Sequence, residues 1–145
     1  MAYLDYTKKT SVERFISVLD GVGSSIVHRY PSSEVQSWTL QKTEAEKFLA
    51  TPVAQRTVGT APFIAQVCRA HHGYVNDATL LQQIADKSVI ILANAELWAM
   101  ITAYVNGFRA KVEDLIEAAT TEDEVLSILH QSITELEQFR NQYSV

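Results

Sequence analysis

The chain has 145 residues, 47% of them hydrophobic and 20% charged, enough for one globular domain that buries its own core. A lone cysteine, Cys68, excludes an internal disulfide framework. The net charge of −5 is uneven: residues 1–72 hold 8 Lys/Arg against 6 Asp/Glu, and residues 73–145 hold 4 against 11. An acidic half argues against wrapping nucleic acid, because counterion release needs clustered basic side chains.

Residues 1–9 read as an N-terminal arm. Tyr3, Asp5, Tyr6, Lys8 and Lys9 stand where a signal peptide needs an apolar stretch, and no 18-residue apolar run is expected elsewhere, so the chain reads as soluble, made in a cytosol, with no membrane partner. Thr10-Ser-Val-Glu13 has the spacing of a capping box, predicting a helix from there to Tyr30-Pro31. Its face is Val12, Phe15, Ile16, Leu19, Val22 and Ile26, weakened by Gly21 and Gly23 at about 1 kcal/mol each.

Ser33 is expected to cap a second helix whose apolar face is Val35, Trp38, Ala45, Phe48 and Leu49. Gln41 shares that face, where an unpaired amide costs about 1–3 kcal/mol, so it is expected to satisfy a backbone group at a crossing or loop. An irregular connection from Thr51-Pro52 to Gly59 follows. Thr60 is expected to cap a short third helix with Pro62 in its first turn, Phe63, Ile64, Val67 and Cys68 inward, and Gly73 as its stop.

From Asp77 to Ala119 the chain has no proline and one glycine, Gly107, which predicts one long helix capped by Asn76. A seam of Leu81, Ile84, Ser88, Ile91, Ala95, Trp98, Ile101, Val105, Phe108, Val112 and Leu115 has heptad spacing with one stammer at Trp98 to Ile101. Such a helix would reach ~64 Å, so it kinks, near Gly107 or the stammer, or extends into a partner. Thr121-Glu-Asp-Glu124 is a second capping box, opening a last helix at 122–142. The short turn makes that helix antiparallel to the spine.

Signs of chemistry are sparse. Cys68, His71 and His72 cluster, but a structural zinc needs a second ligand pair that is not there. No phosphate loop, nucleophile elbow, zinc-protease or calcium-loop spacing occurs, so the chain is expected to be no enzyme and to need no metal or cofactor. Trp38 and Trp98 fall on apolar seams, which favours packing over ligand stacking.

The run Tyr30-Pro31-Ser-Ser-Glu34, Trp38-Thr-Leu-Gln41-Lys-Thr-Glu44-Ala45 and Thr60-Ala61-Pro62 resembles a pattern of small helical proteins and domains encoded among the tail-fibre and tail-fibre-assembly genes of tailed bacteriophages. Gly73, Leu81, Ile84, Gly107-Phe108-Arg109 and Ile116-Glu117-Ala118-Ala119-Thr120 resemble its later part. The chain departs at His72, where that family has a basic residue, and at Ser88-Val-Ile-Ile-Leu92, which replaces alanine-rich sequence. The resemblance implies a component of the virion tail or a fibre-assembly factor, with no catalytic residue.

The expected architecture is therefore all-α, a single domain over 1–145 with four or five helices built around helix 77–119. The expected function is a structural or adaptor protein of a phage tail, baseplate or fibre, homo- or hetero-oligomeric and without a small-molecule substrate. Alternatives are an assembly chaperone that leaves the virion and an acidic inhibitor of a host defence complex. Trp38, Gln41, Ile90, Leu97, Trp98 and Ile101 are the expected partner-binding residues, because apolar side chains ring more of the spine than neighbouring helices can cover.

Overall fold

In the computed structural model, residues 2–27 and 32–143 are described. They form five α-helices, α1 (Ala2–Val27), α2 (Ser32–Ala50), α3 (Pro62–His72), α4 (Asp77–Ala118) and α5 (Glu122–Gln142). Two 3-10 turns, Val53–Gln55 and Val58–Thr60, join α2 to α3. The described residues contain no strand. The chain gathers into two compact units, one of residues 1–31 and 101–145, the other of residues 32–100.

In the first unit, α1 begins at Ala2, so the expected arm is helix and Thr10 is not its cap. The Thr10 hydroxyl donates back to the Tyr6 and Thr7 carbonyls, as a threonine inside a helix does. Tertiary contacts extend the helix: Leu4 packs on the core, Thr7 donates to Glu122, and the Lys8 ammonium donates to the Glu117 carbonyl. That carbonyl lies in the last turn of α4, where carbonyls lack helical partners and α4 has no basic residue of its own. The expected end of this helix, Tyr30-Pro31, lies outside the described residues.

The core of this unit joins Phe15, Leu19 and Val22 of α1, Phe108, Val112 and Ile116 of α4, and Val125, Leu129 and Leu136 of α5. Phe15 meets Phe108 edge-on at 5.7 Å between centroids, a preferred aromatic geometry. Near one end of α5, Phe139 stacks on Tyr104 at 4.1 Å; near the other, Val125 shares the core with Ile116. The last helix thus packs back along the spine as the short turn dictates. Its cap is Thr121, whose hydroxyl accepts from the Glu124 amide. The Glu124 carboxylate accepts from the Thr120 amide, one residue upstream of the expected partner.

The expected seam slips at its C-terminal end. Leu115 is 45% exposed while Ile116 is buried, because 3.6 residues per turn drift about 20° per heptad from a strict seven-residue repeat. A four-residue step from Val112 to Ile116 restores the buried face.

In the second unit, Ala45 and Phe48 of α2, Ile64, Ala65 and Cys68 of α3, and Leu80 and Ile84 of α4 form the core. α2 already contains Ser32 and Ser33, so Ser33 is not its cap. Asn76 caps α4, accepting from the Thr79 amide at 2.8 Å. Gly73 ends α3 at φ 83°, a backbone that favours glycine. Ser88 is fully buried, and among the described residues its hydroxyl has no hydrogen-bond partner, a local cost on the seam.

Candidate interaction surface on the long helix

The start of α3 shows how the Trp38 segment works. Ala61 occupies the N-cap position and has no side chain to cap with. Thr60 does not serve either: its hydroxyl belongs to a box with Thr57 that closes the second 3-10 turn. The acceptor comes from α2. Glu44, 9% exposed, takes the Phe63 amide at 2.9 Å and the Ile64 amide at 3.1 Å on one carboxylate oxygen. A carboxylate at a helix N-terminus satisfies orphan amides and faces the positive end of the macrodipole.

Gln41 lies one turn before Glu44 and is equally buried. Its amide donates to the Ser37 hydroxyl at 2.7 Å within α2, a local partner in place of the backbone group expected at a crossing. Trp38 and Trp98 meet edge to face at 5.8 Å, and both are half-buried. The Trp-Gln-Glu-Ala segment is thus structural, with Trp38 against α4, Gln41 on Ser37 and Glu44 on α3. The capping role of Glu44 is not assigned by periodicity; its signal in the sequence is an acid on a buried helix face, 18 residues before a helix-opening proline.

Of the residues expected to meet a partner, Ile90 and Leu97 are 53% and 44% exposed, whereas Ile101 is 6% exposed and Gln41 is buried. The last two belong to the interior in this chain. Their place on the surface is taken by Val89, Met100 and Tyr104, which sequence reasoning missed and which are 58%, 63% and 42% exposed. Periodicity alone could not choose among them, since apolar residues occur on every face of this stretch.

Between Lys87 and Arg109 only Glu96 carries a charge. By length and composition α4 could cross a membrane, and of its apolar 18-residue window only 11% is buried. This corrects the reading that no such run exists.

Cys68 is buried while His71 and His72 are exposed and stack on each other, so the three do not converge. Among the described residues no group of three His, Cys, Asp or Glu side chains is placed to hold a metal. Burial pushes the Cys68 thiol pKa up, with Lys87 pulling the other way, the direction expected of a buried structural cysteine. In the acidic half, Glu122, Asp123 and Glu124 fill the first turn of α5, where the helix dipole favours them, and Glu113 pairs with Arg109 at 3.0 Å.

No family model, curated protein or solved structure matches the chain.

Proposed function

We propose that this chain is a non-enzymatic structural or adaptor protein of a bacteriophage tail, baseplate or fibre apparatus, acting through protein contacts on the middle of α4. The observation that carries the interaction is the exposure of Val89, Ile90, Leu97 and Met100 on one helix, an apolar patch of the kind that marks a binding surface. The phage setting rests on the resemblance in the Trp38–Glu44 and Thr60–Pro62 segments. In this chain those residues include the tryptophan pair and the Glu44 cap that hold α2 against α4 and α3.

Two measurements test the reading. Mass spectrometry of purified virions should find the chain among tail proteins, and Ile90→Glu should abolish its assembly while circular dichroism stays helical. A chain absent from virions that still captures a fibre protein is an assembly chaperone. A chain that captures no tail protein and instead floats with lipid vesicles sinks the proposal in favour of a membrane role for α4.

A further inference from the structure

We propose that the exposed tyrosine face at the start of α1, beside the corner where α4 gives way to α5, binds an arginine-bearing segment of a partner protein. The proposal goes beyond the α4 reading and does not rest on it. Every residue it uses belongs to the unit of residues 1–31 and 101–145.

The surface begins with a helix face that its own unit leaves open. Tyr3 and Tyr6 stand one turn apart on α1 and are 80% and 67% exposed, while Leu4 between them turns inward to the core. Tyrosine is a residue type enriched at binding hot spots. The face is held in place: Thr7 donates to Glu122 and the Lys8 ammonium donates to the Glu117 carbonyl, which pins the first turns of α1 to the α4–α5 corner.

Charge at that corner selects the occupant. Between Lys111 and His130 the chain carries Glu113, Asp114, Glu117, Glu122, Asp123 and Glu124 and no lysine or arginine. Among the described residues only Glu113 of these is in an ion pair, with Arg109. The helix dipole accounts for the three acids in the first turn of α5. It does not account for Asp114 and Glu117, which stand in the last two turns of α4, where the dipole favours cations and the last turn holds no basic residue. Both are exposed, so neither serves the core. Carboxylates set at a helix end that is already negative attract a cation from outside the fold.

Arginine answers both halves of this surface. Its guanidinium pairs with carboxylates through a planar fork and stacks on a tyrosine ring, whereas a lysine ammonium supplies a compact charge. The surface should therefore distinguish the two cations, which a merely acidic patch does not do.

The test uses the full-length chain and two labelled peptides, one alternating arginine with alanine and the other alternating lysine with alanine, read by fluorescence anisotropy. The arginine peptide should bind roughly five-fold more tightly. Tyr3→Leu with Tyr6→Leu should erase that preference, and Tyr3→Phe with Tyr6→Phe should keep it. Glu117→Gln with Asp123→Asn should weaken the arginine peptide roughly ten-fold. Asp20→Asn with Glu137→Gln removes the same charge elsewhere in the unit and should change binding by no more than about two-fold. In the unsubstituted protein, NMR amide shifts caused by the arginine peptide should fall on residues 3–10 and 114–126.

Equal binding of the two peptides, or equal weakening by the two pairs of neutralisations, leaves only general attraction to an acidic chain and overturns the proposal. Shifts confined to other residues overturn it as well. So do shifts of the Tyr3 and Tyr6 amides that grow with protein concentration without any peptide, which would assign the face to a second copy of this chain.

Discussion

The starts of α3 and α5 solve the same problem in opposite ways. Each leaves backbone amides without helical partners. At α5 the acceptors are the neighbouring Thr121 and Glu124 side chains; at α3 the acceptor is Glu44, 19 residues upstream on another helix. A local cap forms with the helix it closes. A remote cap forms only when α2 and α3 are already packed, so it couples the stability of α3 to the whole second unit.

The largest effect that would sharpen this comparison comes from the core beneath the remote cap. Ile64→Ala should cost about 2–5 kcal/mol in chemical denaturation, since Ile64 is fully buried and truncation removes buried methyl groups and leaves a cavity. A cost below that range would mean the first turn of α3 is held by Glu44 rather than by packing.

Next in size is Glu44→Ala, expected to cost about 2–3 kcal/mol because it strips two amides of a charged acceptor in a buried site. Glu44→Gln, which keeps one acceptor oxygen, should recover part of that loss. Cys68 reports the same event. Its thiol is buried on α3 with a raised pKa, so a thiol reagent should label it slowly in the native protein. Glu44→Ala should speed labelling roughly 30- to 150-fold if that cost appears as opening of the second unit. An unchanged labelling rate would break the coupling argument.

Thr121→Ala removes a local cap and should cost about 1 kcal/mol, without changing the Cys68 labelling rate. Acceleration of labelling in that variant would show that the first unit's local cap also controls opening of the second. The smallest effect is expected at Thr60→Ala, within about 0.5 kcal/mol, because that hydroxyl closes only a 3-10 turn. A loss comparable to that of Glu44→Ala would return the capping role to Thr60.

The same division between local and remote explains which residues of the surface were legible. Ile90 and Leu97 were identifiable as surplus apolar residues on a helix too hydrophobic to be covered. Ile101 carried the same kind of signal, yet it is buried. Met100 and Ile101 are adjacent and both apolar, one exposed and one inside, and only neighbouring elements distinguish them. The arm at 1–9 shows the converse. Its own residues offer a weak helix signal, and the contacts made by Leu4, Thr7 and Lys8 with distant partners order it.

By itself the sequence determined the all-α class, the uninterrupted spine, its Asn76 start, the Gly73 stop and the Thr121 opening of the last helix. Each follows from periodicity, from the absence of proline or from a side chain acting within four residues of itself, and such interactions are complete before the chain folds back. Tertiary structure decided the helix at 2–9, the slip of the seam from Leu115 to Ile116, the Glu44 cap and which apolar face of α4 stays open. Those outcomes depend on which groups remain unsatisfied after packing, and that is settled only when distant segments meet.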